Sequence, residues 1–414
     1  MHERQERVLF VDDEPDVIAG LRRVLHRHRD DWAMVFTESP EAALDVLAAE
    51  PVDVIVTDLL MPGVDGAELL RRARDLQPGA ARLILTGHTH RDASMRALPV
   101  AHQMLSKPCD PADLSRAIDR ACAVRGLLND PKIQGAVGSL DALPSVPAVL
   151  TQVNACLERG APPREIAAVL EHDGVVVSKV LQLVNSSFFG LGRRITDVVQ
   201  AIAYLGIDVL RSIVASASCF QTFDSTRDIR GFSLPRLHAH AFDTGRMCRP
   251  VAQRSRNVPD TVAAALLQDL GQVLLASALP EDFGEVVAEV GSARALHEAE
   301  LEHFGFTHAE VGAYLLALWG LPNDVVEAVA THHSDGPLEP LTSPSPSTRG
   351  LPMLSVADAV RVGRALVGSS ERYARDPMDT NRRRFPPEWL EALGGEACEP
   401  VLRAIVYDPE GARP

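Results

Sequence analysis

Five side chains suited to phosphoryl chemistry follow short apolar runs of the chain. Asp12 and Asp13 come directly after one run, Asp58 ends another, and Thr86 and Lys107 end two more. If these runs are parallel strands, their carboxyl ends line one crevice, which is where ligands bind in open α/β sheets. Carboxylates suit Mg²⁺, and a carboxylate beside an ammonium and a hydroxyl suits phosphoryl transfer onto that carboxylate. A single acidic residue at a strand end is usually a solvated loop residue, so the prediction depends on the joint placement.

A second group of candidates lies in the other half of the chain, on or at the ends of predicted helices. It contains four histidines and two carboxylates, namely His240, Asp269, His308, His332, His333 and Asp358. Imidazoles and carboxylates together form metal sites that hydrolyse phosphodiesters. Each residue also has a structural explanation, because a histidine at a helix end interacts favourably with the helix dipole and His308 could simply start a core-facing helix.

The elements that must position the first group form a repeating pattern. Short apolar runs alternate with amphipathic helical stretches over the first 125 residues, which is typical of a parallel sheet wrapped by helices. The predicted strands are 8–11, 34–37, 52–57, 82–86 and 103–106, and the predicted helices are 17–29, 41–49, 68–76 and 111–125. We therefore expect a doubly wound, five-stranded parallel sheet with the first candidate site at its carboxyl edge.

The second half of the chain is predicted to be all-α. From residue 140 onward the strand signal disappears, and helical patterns follow one another with Gly and Pro between them. The predicted helices are 148–158, 164–171, 176–184, 208–220, 237–253, 261–276, 324–333, 353–366 and 389–406. The predicted division is a domain at 5–125, a linker at 126–139, a helical domain at 140–335, a Ser/Pro-rich loop at 336–352 and C-terminal helices at 353–414 that pack on the helical domain.

Composition and charge narrow the class of protein. The chain has 414 residues, of which 46% are hydrophobic and 23% charged, as in globular proteins of two to three domains. Its formal net charge of -15 repels a phosphate backbone, so nucleic acid is not an expected partner. Six scattered cysteines form no Cys-x-x-Cys pair, and neither a signal peptide nor a run of about 18 apolar residues is visible. We expect a cytoplasmic protein without membrane insertion.

Lysine is scarce in this sequence. Lys107, Lys132 and Lys179 are its only lysines, and the other cationic side chains are arginines. One of the three, Lys107, stands at the end of the fifth predicted strand, where phosphoryl chemistry needs an ammonium.

Four short motifs stand in register with the predicted strands. They are Asp12-Asp13-Glu14-Pro15, Asp58 with Met61-Pro62-Gly63 and Asp65-Gly66, Leu85-Thr86-Gly87, and Lys107-Pro108. Together they resemble the response regulator receiver domain over residues 5–125. The resemblance implies a flavodoxin-like fold in which Asp58 accepts a phosphoryl group from a sensor histidine kinase. It also implies that Asp12, Asp13 and Asp58 hold Mg²⁺ together with the backbone carbonyl of Leu60.

The same resemblance assigns roles to two further residues. Thr86 is expected to move toward the phosphoryl group, and Lys107 to form an ion pair with it. The bond between Lys107 and Pro108 is expected to be cis. One position departs from the family, because Met104 stands where receiver domains usually carry Tyr or Phe. An aromatic rotamer switch is therefore not expected here.

The second candidate group follows the residue order of the HD phosphohydrolase superfamily. The order is His240, Gln268-Asp269-Leu270-Gly271-Gln272, His308, His332-His333 and Asp358. Gln268 replaces the superfamily's metal-binding His, and Gln272 replaces the Lys of its cyclic-dinucleotide branch. A neutral amide is a poor ligand for a transition metal and lacks the charge that a phosphoryl group would meet. We therefore expect a degenerate site without metal, formed by His240, Gln268, Asp269, His308, His332 and Asp358.

Upstream motifs refine the resemblance of the helical half. They are Leu143-Pro144-Ser145-Val146-Pro147, Glu171-His172-Asp173, Leu183-Val184-Asn185-Ser186-Ser187-Phe188-Phe189-Gly190 and Ala201-Ile202-Ala203-Tyr204-Leu205-Gly206. These segments resemble the HDOD domain, a branch of the HD superfamily associated with signalling outputs, over residues 140–335. Gly174 departs from the Pro that commonly follows the Asp in this family.

The combined prediction is a response regulator whose receiver gates a non-catalytic HDOD domain that binds a protein partner. Homodimerisation through the receiver is a hypothesis by family analogy. The alternative is a metal-dependent phosphodiesterase or phosphohydrolase that acts on a cyclic dinucleotide or nucleotide and tolerates Gln268. A DNA-binding regulator would need a cationic recognition helix, whereas the Arg-rich stretch at 381–384 lies in a Pro-flanked segment.

Overall fold

The computed structural model describes most of both halves of the chain. The described residues are 5–87, 97, 100–127, 143–145, 147–185, 194–206, 210, 220–222, 229, 231–252, 258–290, 293–334 and 354–375. The predicted linker at 126–139, apart from its first two residues, the predicted loop at 336–352 and the predicted helix at 389–406 lie outside this set. So does nearly all of the predicted helix at 208–220.

The N-terminal part folds around a five-stranded parallel sheet. Its strands are β1 (Glu6–Val11), β2 (Trp32–Thr37), β3 (Val54–Asp58), β4 (Ala81–Thr86) and β5 (Gln103–Ser106). Their order across the sheet is β2-β1-β3-β4-β5, and all neighbouring pairs are parallel. The predicted doubly wound sheet is confirmed, and β5 forms one of its edges.

Helices flank this sheet where the sequence places capping residues. The described helices are α1 (Pro15–Leu25), α2 (Pro40–Ala49), α3 (Gly66–Leu76) and α4 (Pro111–Leu127). The side chains of Ser39 and Asp65 accept hydrogen bonds from backbone N–H groups in the first turns of α2 and α3, which satisfies donors that the helix itself leaves free. The predicted helix at 17–29 is shorter than expected, because α1 ends at Leu25 and a 3₁₀ turn follows at His26–His28.

The second half is helix-rich, as predicted. Its described helices are α5 (Pro147–Glu158), α6 (Pro163–Leu170), α7 (Gly174–Val184), α8 (Val198–Leu205), α9 (Leu234–Ala252), α10 (Val258–Leu267), α11 (Leu270–Ala278), α12 (Pro280–Glu289), α13 (Ala293–Phe304), α14 (His308–Leu318), α15 (Asn323–Thr331) and α16 (Val356–Arg375). The C-terminal helix α16 packs against α9, α10 and α15.

Two details of this half differ from the sequence pattern. Two three-residue strands, β6 (Leu143–Ser145) and β7 (Phe220–Thr222), pair in parallel, and such short strands carry too little periodicity to be predicted. The single helix predicted at 261–276 is wrong, because the chain breaks at Gln268 and Asp269 between α10 and α11. Apolar runs on both sides of Gln268 and Asp269 conceal this break.

The stretch Val258–Ala278, which spans α10 and α11, is long and apolar enough to cross a membrane by composition alone. However, 89% of its most apolar window is buried inside the protein. In this structure the stretch is therefore a core segment of the helical half.

Candidate functional site

The first candidate site lies at the carboxyl edge of the parallel sheet, as the topology requires. The ammonium of Lys107 lies 2.7 Å from Oδ2 of Asp12 and also forms an ion pair with Oδ1 of Asp58. Asp12 and Asp58 are buried, with 1% and 8% of their surface exposed. The structure thus brings β1, β3 and the end of β5 together around one cation. Asp13, the next residue after Asp12, lies half-buried at the same rim.

Backbone contacts fix the position of the Asp58 carboxylate. The N–H of Leu60 donates to Oδ2 of Asp58 at 2.8 Å, and the N–H of Gly66 donates to the carbonyl of Leu59 at 2.8 Å. Gly66 approaches so closely that a Cβ there would lie 2.1 Å from the carbonyl oxygen of Asp58. The start of α3 is therefore locked onto the end of β3, with the side chain of Leu60 exposed beside it.

The remaining predicted residues of this site lie beside it. Thr86 is buried at the end of β4, and the N–H of Lys107 donates to its carbonyl oxygen at 2.7 Å. The peptide bond between Lys107 and Pro108 is cis. Met104 is buried in β5, paired in register with Ile84. The ends of β4 and β5 are thus tied together where Thr86 and Lys107 stand.

The two carboxylates determine the charge state of Lys107. Burial alone would lower the pKa of Lys107, but hydrogen bonds and charge attraction from Asp12 and Asp58 outweigh burial and raise it. The site therefore holds a stable ammonium between two carboxylates, which is the charge arrangement that an incoming phosphoryl group would meet.

The second candidate site is a buried cluster in the helical half. Nε2 of His308 lies 3.5 Å from Oδ1 of Asp269, and Nε2 of His332 lies 3.6 Å from the same oxygen. Nε2 of His240 lies 3.9 Å from Oδ2 of Asp269. His333 joins the cluster, with its Nε2 3.0 Å from Nε2 of His308. The structure thus brings together residues from α9, the α10–α11 break, α14 and the end of α15.

Two residues of the predicted degenerate site, Gln268 and Asp358, and the neighbouring Gln272 make hydrogen bonds or ion pairs of their own. Gln268 donates to Oγ1 of Thr244 at 3.3 Å. Gln272 donates to Oδ1 of Asp269 at 3.0 Å, so it supports the carboxylate without supplying charge. Asp358 forms an ion pair with Arg361 at 2.9 Å and accepts a hydrogen bond from Ser355.

Sequence reasoning missed two residues of this cluster. Glu300 on α13 is fully buried and accepts from Nδ1 of His308 at 2.6 Å. Arg364 on α16 donates to Nδ1 of His333 at 2.9 Å and to the carbonyl of His332 at 3.2 Å. Glu300 lies in a helix rich in Glu and Arg364 in one rich in Arg, so neither stands out in the sequence. Only the packing of α13 and α16 against the cluster reveals them.

The surroundings keep Asp269 ionised and His332 neutral. Burial alone would raise the pKa of Asp269, but the close imidazoles of His308 and His332 and the nearby Arg364 hold it well below its usual value. Burial, together with Arg364, lowers the pKa of His332 to about 4. Nδ1 of His332 donates to the carbonyl of Val329 at 2.6 Å, which leaves a lone pair on the nitrogen that faces Asp269.

Close backbone packing positions the helices around the cluster. Thr307 and Glu310 form a capping box at the start of α14, so the helix begins at His308. Gly271 lies so near that a Cβ would be 1.8 Å from the carbonyl oxygen of His308. The start of α11 is therefore pressed directly onto the start of α14, which brings Asp269 to the imidazole of His308.

Comparison with known protein families decides what these two parts are. The model of the response regulator receiver domain matches residues 8–119, and the model of the HDOD domain matches residues 143–335. The chain belongs to the receiver–HDOD response regulators. The matched segments coincide with the parallel sheet and the helical half, so the resemblances drawn from the motifs are confirmed.

Several individual proteins are similar to parts of the chain. An uncharacterized protein of Treponema pallidum strain Nichols is 28% identical over 47% of this chain and 38% of its own length. The transcriptional regulatory protein GlrR of Escherichia coli K12 is 34% identical over 29% of this chain and 27% of its own length. The MmoQ response regulator of Methylococcus capsulatus strain Bath aligns at 19% identity with a TM-score of 0.49, over 63% of this chain and 97% of MmoQ. The chain thus spans well under half of the length of the first two relatives.

The receiver contacts the HDOD domain through the edge strand β5 and the residues before it. Nε2 of Gln182 on α7 donates to the carbonyls of Ala101 and His102, at 3.2 and 3.1 Å. Nε2 of Gln103 on β5 donates to the carbonyl of Leu318 at 2.8 Å. Helix α4 of the receiver also packs against α14. We call this set of contacts the β5 interface.

A buried lysine supports the β5 interface from the HDOD side. Nζ of Lys179 donates to Oε1 of Gln182 at 3.2 Å and lies 4.3 Å from the ring centre of Trp319. An ammonium over an indole face is attracted by the ring. Lys179 therefore orients the amide of Gln182 so that its donors point at the receiver.

Proposed function

We propose that this response regulator is switched by phosphorylation of Asp58 and that its HDOD domain acts by binding a protein partner. A sensor histidine kinase supplies the phosphoryl group. The observation that carries the proposal is the cluster at the sheet edge, in which one half-buried ammonium contacts the carboxylates of both Asp12 and Asp58. An isolated acidic residue at a strand end would be solvated and would not share a cation with a second carboxylate.

Asp58 is the nucleophile of the proposed reaction. An oxygen of its carboxylate attacks the phosphorus, the phosphorus–nitrogen bond of the kinase phosphohistidine breaks, and an aspartyl phosphate forms. The N–H of Leu60 orients the carboxylate for this attack. Lys107 is positioned to neutralise phosphoryl oxygens, and Thr86 to donate its hydroxyl to the product.

The carboxylates at this edge fit a bound Mg²⁺. Asp12, Asp13 and Asp58 would hold the ion, together with the backbone carbonyl of Leu60. Two of these three carboxylates are buried and share one ammonium, so the site has excess negative charge for a hard cation. When bound, Mg²⁺ neutralises charge on the transferring phosphoryl group.

Transmission to the output domain follows from the geometry of β4 and β5. Thr86 and Lys107 stand at one end of these strands, and the β5 interface lies at the other end of β5. A shift of Thr86 and Lys107 toward a phosphoryl group would therefore displace β5. The two residues just before β5 are hydrogen-bonded to Gln182 of the HDOD domain. Moving such an equilibrium from mostly docked to mostly free takes about 5.5 kcal/mol, and a phosphoryl group paired with Lys107 is the proposed source.

The HDOD domain is proposed to be a binding module and not a hydrolase. Gln272 stands where the cyclic-dinucleotide hydrolases of the superfamily have a lysine, and its neutral amide donates a hydrogen bond to Asp269. The partner is proposed to be a protein, since the net charge of -15 disfavours nucleic acid.

We further propose a cytoplasmic location without membrane insertion and homodimerisation through the receiver. The proposed domain limits are 5–125 for the receiver and 140–335 for the HDOD domain. C-terminal helices that follow are proposed to pack on the HDOD domain.

A pull-down from native lysate tests this function. The baits are wild type and Asp58→Asn, each with and without acetyl phosphate as phosphodonor. We expect the donor to change the partner set of wild type and leave that of the variant unchanged. Identical partner sets under all four conditions would show that the receiver does not gate the output.

The β5 interface makes its own prediction. Gln182→Leu keeps the side-chain volume but leaves the carbonyls of Ala101 and His102 without their donor, at a cost of about 1–3 kcal/mol for each buried group. We expect the receiver to undock, so that limited proteolysis separates the two domains faster than in wild type. The control is Gln152→Leu, which replaces an exposed glutamine of α5. Equal cleavage rates for the two variants would contradict the importance of this contact.

A further inference from the structure

Two arginines, one from each domain, lie at the boundary between the receiver and the HDOD domain. Arg120 belongs to α4 of the receiver, and α4 packs against α14. Arg194 belongs to the HDOD domain and packs on Gly320, just after the end of α14. We call these two residues the arginine pair. We propose that the arginine pair is an anion site that binds the phosphate group of a small molecule.

A close contact places the guanidinium of Arg194 at the β5 interface. A Cβ added to Gly320 would lie 3.0 Å from Nη1 of Arg194 and 3.2 Å from Nε2 of Gln103, the first residue of β5. The same Nε2 donates to the carbonyl of Leu318 across the interface. The guanidinium of Arg194 therefore stands beside the start of the receiver's edge strand.

The hydrogen-bond donors of the arginine pair are largely unused. Nη1 of Arg194 donates to the carbonyl of Asn185 over a long 3.4 Å, and its other donors have no partner within the described part of the chain, although a guanidinium carries five N–H groups. Arg120 is half-buried and has no hydrogen bond or ion pair with a described residue. Charged donors in such a position are normally matched by an anion.

The charges around the arginine pair are mainly positive. Burial, and after it the charge of Arg120, lowers the pKa of Arg194 to about 10, whereas Asp113 acts in the opposite direction. Burial and the charge of Arg116 lower the pKa of Arg120 as well. Asp113 is itself ion-paired with Arg116. Three guanidiniums thus surround one carboxylate, and two positive charges are left uncompensated.

A phosphate group matches this arrangement better than a carboxylate does. Like charges brought together across an interface weaken it, and a dianion would cancel both uncompensated charges. A phosphate monoester carries a charge of about -1.5 to -2 at neutral pH, and its oxygens accept two parallel N–H bonds from the planar fork of a guanidinium. Because Arg120 is half-buried, the ligand is proposed to be a small molecule.

A ligand held by both arginines would stabilise the docked arrangement of the two domains. Such a ligand contacts Arg120 and Arg194 together only while the β5 interface is closed. A ligand that binds one of two states shifts the equilibrium toward that state. The phosphate-bearing molecule would therefore oppose the undocking that is proposed for phosphorylated Asp58. The site goes beyond the proposed function and does not depend on phosphorylation of Asp58.

Limited proteolysis of the full chain with added anions tests the inference. The buffer contains a chelator and no Mg²⁺, so that no metal-bound phosphate forms at the receiver site, and ionic strength is constant. The probes are orthophosphate and adenosine monophosphate, which separate a free anion from a phosphate ester, and acetate is the monoanion control. Isothermal titration calorimetry supplies Kd and the expected stoichiometry of one per chain.

Protection by phosphate is the expected result. At ten times Kd, at least one phosphate probe should slow the proteolytic separation of the domains about tenfold, because the undocked population falls by that factor. An effect of one probe alone assigns the ligand to free phosphate or to phosphate esters. Cleavage rates that neither phosphate probe changes, or that acetate lowers equally, would overturn the proposal.

Variants assign the effect to the arginine pair. Arg120→Gln and Arg194→Gln should each weaken phosphate binding at least about tenfold, since each removes a charged donor. Each also removes like-charge repulsion, so neither should be cleaved faster than wild type without phosphate. Arg72→Gln, which removes an exposed arginine of α3, is the matched control and should be protected as wild type is.

Two further outcomes decide the assignment. Asp58→Asn should keep its protection by phosphate, so failure of the receiver proposal is distinguishable from failure of this one. Protection that persists in both arginine variants, or faster cleavage of both without phosphate, would show that the arginine pair is a structural contact and would overturn the anion site.

Discussion

Asp58→Asn is expected to abolish phosphoryl incorporation from acetyl phosphate while leaving the receiver folded. The amide is almost isosteric with the carboxylate but is not a nucleophile, so no acyl phosphate forms. The N–H of Leu60 can still donate to the amide oxygen, and Lys107 keeps its ion pair with Asp12. The measurement is intact mass after incubation with the phosphodonor and Mg²⁺, in which wild type gains one phosphoryl group and the variant gains none.

The control for this prediction is Asp16→Asn. Asp16 is an exposed residue in the first turn of α1, close to the site in sequence but outside it. We expect the control to be phosphorylated to the wild-type extent. A variant at Asp58 that still gains a phosphoryl group would show that another residue is the acceptor.

Gly271→Ala is expected to destabilise the HDOD domain severely. The added Cβ would lie 1.8 Å from the carbonyl oxygen of His308 and 2.9 Å from the N of Gly312, and both are backbone atoms that cannot turn aside. Helices α11 and α14 would have to separate. We expect a loss of about 3 kcal/mol or more in the free energy of unfolding. Thermal melting followed by circular dichroism should show a decrease of about 6–12 °C in the transition of this domain.

Gly284→Ala is the matched control in the same domain. Gly284 lies within α12, and a Cβ there would meet only Cγ2 of Ile229 at 3.4 Å, an ordinary contact. Alanine also favours a helix over glycine by about 1 kcal/mol, so the control should melt no lower than wild type. Equal melting temperatures for the two variants would mean that α11 and α14 are not pressed together as described.

The receiver half was largely predictable because its signals are local and mutually consistent. Each strand is a short apolar run that ends at a polar residue, and parallel topology alone then gathers Asp12, Asp58 and Lys107 at one edge. Lys107 is also one of only three lysines in the chain, so its place at the end of a predicted strand is informative in the sequence alone. The roles assigned to these residues in phosphoryl transfer stay predictions, since geometry places the groups but does not show the reaction.

The HDOD half was predictable as helices but not in its contacts. Glu300 and Lys179 are buried charged residues, and the sequence does not show that they are buried because a helical pattern does not reveal which charge is turned inward. The break at Gln268 and Asp269 lies between two apolar runs of the same helical pattern, so periodicity predicts one helix. The β5 interface depends on side chains from distant segments, and no sequence spacing relates Gln182 to residue 101.

Hydrogen–deuterium exchange of the full chain tests the central claim that phosphorylation of Asp58 controls the β5 interface. Exchange is followed by mass spectrometry with and without acetyl phosphate, in wild type and in Asp58→Asn. We predict faster exchange on phosphorylation of wild type in the peptides that cover 101–106, 179–185 and 314–319, and no change in the variant. Unchanged exchange in all three segments while Asp58 is fully phosphorylated would contradict the account.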